Sequence, residues 1–316
     1  MTKNAKRAAL CHPLSTGRLC RGAHTISYVE AGNPLGPPVV VLHGGPGSGS
    51  QPGVLRLFDL TRVRVVLVDQ RGTGMSTPRG GTRHNSTKYL IGDLEALREE
   101  LGIERWGVLG GSWGGALALA YAGRFPERVL GLVLRGLFMT STREVRGFFT
   151  TSRYRAPQEW KRLATAAGTS RSDRLPLQCA RRLQPGVSWV RRRAVALSWH
   201  RYEEAILMRR SSREERISRQ KANRLIDKYR IQSHYLQHGC WLGERKLRVL
   251  ARSASHAGVP IFVAHGNHDP VCPIKNVTRL ERAVSAVVVE CVEAGHLAST
   301  GQLAQSVSRL IRAMLA

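Results

Sequence analysis

Three residues have the types and the order along the chain that nucleophilic catalysis requires: Ser112, Asp269 and His296. A serine hydroxyl is a poor nucleophile until a base takes its proton, and a histidine base must be held in the right tautomer by a carboxylate. Each of the three follows an apolar run that predicts a strand, and the 27 positions from Asp269 to His296 leave room for one helix and one strand. The sequence therefore predicts Ser112 as nucleophile, His296 as general base and then acid, and Asp269 as the residue that orients His296.

The serine lies in a turn with a glycine two residues away on either side. Gly110, Ser112 and Gly114 match the G-x-S-x-G nucleophile elbow, in which a strained strand-to-helix turn exposes the hydroxyl. A Cβ at either glycine would collide where the backbone doubles back. The pattern alone also fits a Gly-Ser-rich surface turn. The apolar run Trp106–Gly110 before it, and a small-residue run free of proline until Pro126 after it, favour the elbow.

Other histidines compete for the role of base. His265 and His268 lie beside Asp269 and would share its loop, and His43 belongs to an earlier glycine-rich loop. We expect the His43 side chain to bond the backbone of its own loop. His296 remains the predicted base because it follows a separate strand.

An acyl-transfer intermediate also needs backbone N–H donors for its oxyanion. Trp113, immediately after the nucleophile, is expected to supply one. The loop His43–Gly47 is expected to supply the second, from Gly45, while Pro46 has no N–H and stiffens the loop.

The elements that must position these residues alternate between short apolar runs and helical stretches. Val39–Leu42 and Val63–Val68 lead straight into glycine-rich loops, as expected at the carboxyl edge of a parallel sheet. Alternating strands and helices favour a mostly parallel α/β sheet. Further strands are predicted at Ala23–Glu30 (an edge strand), Trp106–Gly110, Val129–Leu134, Val259–Ala264 and Ala286–Val292, and helices at Thr87–Leu101 and Gln302–Leu315.

The alternation breaks between Phe138 and His256, where the sequence is helical and rich in charge, as in Arg209–Arg230. We therefore predict an α/β core at 22–137 and 257–316 with a helical cap, 138–256, inserted into it. Residues 1–21 are polar and basic without a period, which predicts a loose basic leader.

The charge of the chain is strongly positive, with 49 Lys and Arg against 22 Asp and Glu, for a formal net charge of +27. Such a field would attract nucleic acid, acidic membrane surfaces or anionic substrates. Because the basic residues are scattered rather than gathered in one tail, we expect an arginine-rich solvated surface and no specific nucleic-acid partner. A nucleic-acid or membrane-surface binder remains an alternative class.

The six cysteines are widely spread and form no CxxC or disulfide-framework pattern, so reduced thiols are expected. Cys11 and His12 could join Cys20 and His24 in a zinc site, but their spacing matches no common ligand pattern. We predict no metal and no cofactor. The first thirty residues contain no apolar stretch of signal-peptide or membrane-span length, so a cytoplasmic protein without a membrane span is expected.

Several motifs together resemble a known family. His43–Gly47, Asp69–Gly72 and Gly110–Gly114 are similar to the prolyl aminopeptidases (proline iminopeptidases) of the α/β-hydrolase superfamily. The resemblance extends from about Gly22 over nearly the whole chain. It implies the α/β-hydrolase fold and release of N-terminal proline from short peptides by a metal-independent serine mechanism. The further motifs are Val133–Gly136, Ser198–Glu203, Ile231–Leu236 and Asp269–Pro273.

The resemblance also implies a binding site for the substrate's free α-amino group, formed by two cap glutamates. Glu203 matches the first, but Gln232 stands at the position of the second. A glutamine oxygen accepts a hydrogen bond without adding negative charge, so amine binding should lose on the order of 1 to 3 kcal/mol. A solvated helix face is the alternative role for Glu203.

The proline pocket implied by the resemblance is apolar and falls on Phe138, Phe148, Leu236 and Cys272. Leu236 replaces an aromatic residue and Phe148 lacks a hydroxyl that the family often has. Ordinary packing of the cap is the alternative role for these four residues. Together with Gln232, the altered pocket keeps open a related hydrolase that acts on an ester, amide or lactone.

Overall fold

The computed structural model describes residues 15–208, 217–298 and 301–316. The described residues form an eight-stranded sheet in the order β1-β2-β4-β3-β5-β6-β7-β8. Its strands are β1 (Ser15–Arg21), β2 (His24–Gly32), β3 (Pro38–Leu42), β4 (Arg64–Val68), β5 (Trp106–Gly111), β6 (Val129–Arg135), β7 (Ile261–Gly266) and β8 (Val288–Val292).

The six strands from β4 to β8 along the sheet are parallel, and β1 and β2 are antiparallel. The central strands are rich in valine and leucine and buried on both faces, as parallel strands covered by helices must be. The predicted mostly parallel α/β sheet is confirmed.

The structure corrects the predicted loose leader over Ser15–Arg21, which forms β1 and pairs along its length with β2. β1 lies at the edge of the sheet and is half exposed, so its polar residues give no apolar signal in the sequence. Backbone hydrogen bonds to β2 order it instead. Residues 1–14, including Cys11 and His12 of the considered zinc site, lie outside the described residues.

Helices cover both faces of the sheet. They are α1 (Thr87–Glu100), α2 (Trp113–Ala122), α3 (Thr142–Thr150), α4 (Pro157–Ala167), α5 (Leu175–Arg182), α6 (Trp189–Met208), α7 (Arg219–Gln237), α8 (Gly243–His256), α9 (Lys275–Glu281) and α10 (Gly301–Leu315), with short 3₁₀ turns at Pro52–Leu57, Pro126–Arg128, Ser152–Tyr154 and Gly239–Trp241. None of the helices in the described ranges combines the length and the apolar character needed to cross a bilayer.

Between β6 and β7 the described residues form helices and turns without strands. Most of these helices bury their own apolar cluster, which includes Phe149, Trp199 and Tyr229. Helix α8 differs, because its buried residues Leu247 and Ala251 join the core cluster under the sheet. Residues 209–216 of the charge-rich stretch lie outside the described residues.

By its packing, α8 therefore belongs with the core, although the sequence assigned it to the cap. Its apolar face is evident in the sequence, but periodicity does not tell which neighbour covers that face. The other boundaries of the predicted cap remain a prediction.

Backbones pack closely where β3, β5 and α2 meet. A Cβ on Gly114 would come 2.0 Å from the carbonyl oxygen of Leu42, and one on Gly110 would come 2.3 Å from that of Gly114. Both contacts are with backbone atoms, which cannot rotate away. The two glycines are therefore required for α2 to pack this closely on the strands.

We expect Gly114→Ala to lower the free energy of unfolding by about 3 kcal/mol or more, because strand and helix backbones must separate. Gly147→Ala is the matched control, since Gly147 lies in α3 with open space around it; it should stabilise by about 0.5 to 1 kcal/mol. Urea unfolding followed by circular dichroism measures both. Equal effects of the two substitutions would contradict this account of the packing.

Candidate active site

Ser112 lies at the turn between β5 and α2 with a backbone of φ 55° and ψ −118°. A positive φ is costly for a residue with a Cβ, so the turn is strained and held by its surroundings. The Ser112 N–H donates to the carbonyl of Arg135 at 2.8 Å, which ties the turn to the end of β6. This is the geometry expected of a nucleophile elbow.

Asp269 follows β7, His296 follows β8, and the two side chains meet. Asp269 Oδ2 lies 2.6 Å from His296 Nδ1. The Asp269 side chain is 0% exposed and that of His296 is 8% exposed. Asp269 Oδ1 accepts hydrogen bonds from the N–H groups of Val271 and Cys272, each at 2.8 Å.

Burial alone would raise the pKa of Asp269, but the electrostatic attraction and hydrogen bond of His296 and the two backbone N–H donors outweigh it, so the pKa lies below its ordinary value. The carboxylate is therefore ionised at neutral pH and accepts from Nδ1–H of His296. In a neutral imidazole whose Nδ1 donates to Asp269, Nε2 is the unprotonated nitrogen that can take a proton.

The other histidines near the acid have different partners. His265 Nε2 lies 3.0 Å from the carbonyl oxygen of Cys272, its Nδ1 faces the Leu137 N–H at 3.4 Å, and burial lowers the pKa of His265. His268 is exposed and contacts Glu293 at 2.7 Å. His265 is thus a fixed member of the acid loop, 4.0 Å from the Asp269 carboxylate.

His43 bonds its own loop, as expected. Its Nδ1 lies 2.9 Å from the Gly44 carbonyl oxygen, and its Nε2 accepts from the Gln70 N–H at 3.2 Å. Thr73 Oγ1 lies 3.0 Å from the same Nε2. With Nδ1 engaged by its own loop and Nε2 by the loop after β4, His43 is held as a structural residue.

Gln70 connects the two segments that carry the predicted oxyanion donors. Its Nε2 donates to the carbonyl of His43 at 2.9 Å, and its Oε1 accepts from the indole N–H of Trp113 at 2.9 Å. Sequence reasoning missed this role. The signal available was the position of Gln70 in the glycine-rich loop after β4.

The predicted donors have suitable backbones. Trp113 is the first residue of α2, and such a residue has an N–H without an intrahelical acceptor. Gly45 has a φ of 115°, and a Cβ there would come 2.7 Å from the backbone nitrogen of Gly47. Only glycine therefore fits this turn without strain.

A cavity of about 540 Å³ joins most of the predicted residues. Asp269 lies behind His296, and Trp113 has a fully buried side chain in the core, so neither lines it. The predicted residues that line it are Gly45, Ser112, Phe138, Phe148, Glu203, Gln232, Leu236, Cys272 and His296.

Two of the apolar lining residues also pack within the cap. The ring of Phe148 contacts that of Tyr202 with centroids 5.3 Å apart, and Leu236 packs against the cap cluster. Lining the cavity and packing the cap are thus compatible roles.

Glu203 lies in the cavity wall with its carboxylate already bonded. Its Oε2 accepts from Lys228 Nζ at 2.8 Å and from the Tyr229 hydroxyl at 2.7 Å. Its Oε1 accepts from Gln232 Nε2 at 2.5 Å. Burial raises the pKa of Glu203, but Lys228 and these hydrogen bonds lower it by more. The pKa therefore lies below its ordinary value, and the carboxylate is ionised. This is not the environment of a solvated helix face.

Lys228 was missed by sequence reasoning. The available signal was its spacing of four from Gln232, which places both on one face of α7. Its pairing with Glu203 depends on how α6 and α7 pack.

Asp269, Cys272 and His296 each place a possible metal-ligand atom within 4.8 Å of the others. The carboxylate oxygens of Asp269 are, however, bonded to His296 and to two backbone N–H groups. Burial raises the pKa of the Cys272 thiol well above its ordinary value, so the sulfur is protonated. The hydrogen-bonded Asp269–His296 pair beside a protonated thiol does not fit a cation site.

Comparison with known proteins first defines the class. Residues 37–300 match the family described as the alpha/beta hydrolase fold. The structure of VinJ has a TM-score of 0.60 and 21% identity over 96% of this chain and 99% of that chain. A haloalkane dehalogenase loop variant from Bradyrhizobium elkanii has a TM-score of 0.63 and 18% identity over 95% and 97%. These structures share the fold, and the chain belongs to the α/β-hydrolase family.

Named relatives then narrow the family. The chain is 37% identical to a proline iminopeptidase of Xylella fastidiosa over 86% of this chain and 87% of that protein. It is 32% identical to the proline iminopeptidase of Neisseria gonorrhoeae over 92% of this chain and 93% of that protein. It is 34% identical to the proline iminopeptidase of Arabidopsis thaliana over 91% of this chain and 76% of that protein. Within the α/β hydrolases it belongs to the proline iminopeptidase family of enzymes.

The low pKa of Asp269 implies that stability depends on pH. The ionised carboxylate stabilises the fold above the ordinary aspartate pKa of about 3.9, and this contribution is lost as the pH falls towards the folded-state value. The difference in free energy of unfolding between wild type and Asp269→Asn should therefore be largest near neutral pH and shrink towards about pH 3. Urea titrations at several pH values test this; a difference that is constant with pH would contradict it.

We expect Gln70→Leu to lower kcat for an aryl ester by about 10-fold to 100-fold with little change in KM, because both predicted oxyanion segments lose their link. Gln184→Leu is the control, since Gln184 bonds the Ala180 carbonyl and does not line the cavity. Steady-state kinetics measure both variants. A rise in KM with kcat unchanged would instead show that Gln70 serves substrate binding and not the positioning of the oxyanion segments.

Proposed function

We propose that this chain is a serine aminopeptidase that releases N-terminal proline from short peptides. The observation that carries the proposal is the 2.6 Å hydrogen bond between Asp269 and His296, beside a cavity that Ser112 lines from a strained turn. The proline iminopeptidases among its relatives support the substrate class.

In the proposed reaction, His296 Nε2 takes the Ser112 hydroxyl proton as Oγ attacks the prolyl carbonyl carbon. The ionised Asp269 stabilises the imidazolium, and the N–H groups of Trp113 and Gly45 donate to the oxyanion. His296 then gives the proton to the leaving amine, and the C–N bond breaks. A water molecule, deprotonated by His296, cleaves the acyl ester, regenerates Ser112 and releases proline.

We assign the pyrrolidine ring of the substrate to the apolar wall formed by Phe138, Phe148, Leu236 and Cys272, and its amino end to Glu203 and Gln232. Five side chains in this part of the cavity are apolar or amide groups, which supports a small ligand with one polar end.

We further propose that the protein acts in the cytoplasm, as its dispersed cysteines suggest. The +27 charge is proposed to be a solvated surface and not a nucleic-acid site.

A second candidate is a related hydrolase of an ester, amide or lactone. The observation that favours it is the engagement of Glu203 by Lys228, Tyr229 and Gln232, which leaves the carboxylate without free charge for a substrate ammonium.

Hydrolysis of proline β-naphthylamide separates the two candidates. An aminopeptidase should release naphthylamine, and Ser112→Ala should lower kcat by about 10⁴-fold or more. Gln232→Glu should raise kcat/KM about tenfold by adding negative charge at the amino end.

N-acetylproline β-naphthylamide and a simple aryl ester complete the test. An aminopeptidase should reject the acetylated compound, since the amino end is closed by side chains of α6 and α7. Ser112-dependent ester hydrolysis without release from either proline compound would favour the second candidate.

A further inference from the structure

The wall formed by α6 and α7 contains an ion pair that the catalytic proposal does not use. Lys228 and Glu203 both line the cavity, with side chains 22% and 13% exposed and Nζ 2.8 Å from Oε2. A carboxylate has about four acceptor positions, and here three are filled by Lys228, Tyr229 and Gln232. Glu203 is thus largely satisfied from within the protein.

The charges at this end of the cavity cancel. Glu203 is ionised because Lys228 and its hydrogen bonds hold its pKa low, and the Lys228 ammonium pairs with it at 2.8 Å. Gln232 is neutral. A ligand ammonium placed here would meet no net countercharge, and it would have to displace the Lys228 ammonium to gain one.

One acceptor at this end is unused. Gln232 Oε1 is buried and has no hydrogen-bond partner within the described residues, and Gln232 is itself only 6% exposed. Its orientation is set by Glu203, because a carboxylate can accept only from the Nε2 side of the amide. A neutral N–H or O–H donor that reached this oxygen would satisfy it without any charge.

The positive charge of the surrounding residues also disfavours a cationic ligand. Residues 138–256 carry 27 Lys and Arg against 9 Asp and Glu. Their exposed members are screened by salt, so this effect is secondary to the ion pair. It nevertheless opposes the binding of a cation.

We propose that Lys228 is a specificity-determining residue that takes the place of the substrate ammonium as the partner of Glu203. The cavity then accepts acyl groups whose end is uncharged, either a neutral imino group or an isosteric group without charge, and gains little from a cationic amine. This inference rests on the proposed function, which places the amino end of the substrate at Glu203 and Gln232. It concerns which charge the cavity selects in a ligand, and not the rate of turnover.

Two ligands of the same shape test this selectivity. L-Prolinamide is a cation at neutral pH, and cyclopentanecarboxamide replaces its ring nitrogen by carbon and is neutral. Their Kd values are measured by isothermal titration calorimetry on proteins that carry Ser112→Ala, so no turnover is needed. The readout is the ratio of the two Kd values.

The proposal expects similar Kd values in the Ser112→Ala protein. Adding Lys228→Met should favour prolinamide by about tenfold or more, because Glu203 then lacks its internal cation. Adding Lys228→Met with Glu203→Gln should restore the original ratio, since both charges are gone. Arg224→Met is the control: Arg224 is an exposed cation on α7 outside the cavity and should leave the ratio unchanged.

A strong preference for prolinamide in the Ser112→Ala protein would overturn the proposal, because Glu203 would then exchange Lys228 for the ligand. A ratio of Kd values in the double variant that differs from that of the Ser112→Ala protein would also overturn it. The absence of any gain in a folded Lys228→Met protein would also overturn it. If that variant does not fold, the comparison of the Ser112→Ala protein with the electroneutral double variant decides. Failure of the proposed function is seen separately, as absent release from proline β-naphthylamide.

Discussion

The site depends on the close backbone contact between β3, β5 and α2. With no Cβ on Gly114, the helix approaches the Leu42 carbonyl closely enough to hold Ser112 at a φ of 55°. Ser112 has a side chain, and it stays in this conformation because the elements on both sides of it are buried and cannot separate. The packing of the whole central sheet thus maintains the strained backbone conformation of this one residue.

The parallel sheet then brings together residues that are distant in sequence. Asp269 and His296 follow neighbouring strands, so their loops meet at the same edge as the turn at Ser112. Hydrogen bonds from Gln70 hold the His43 loop against the first residue of α2. Each predicted catalytic group is therefore supported by backbone or buried side-chain contacts from a different loop.

The cap contributes charge and shape. In the family that the sequence resembles, two carboxylates are implied at the amino end, whereas here one is replaced by Gln232 and the other is bonded to Lys228. The two changes are physically coherent: with a single carboxylate, one internal cation makes the wall electroneutral. A partly buried ion pair of this kind is costly to break from one side, because the remaining charge stays in the cavity wall.

The sequence by itself determined the order of Ser112, Asp269 and His296, the elbow and the parallel strands, because these follow from local periodicity and from where each strand ends. Tertiary structure alone decided three features. β1 is a strand through backbone pairing with β2, which polar side chains do not signal. Helix α8 is covered by the core, and Lys228 reaches Glu203 across two helices. All three depend on contacts between separate elements, and periodicity within one element carries no information about its neighbour.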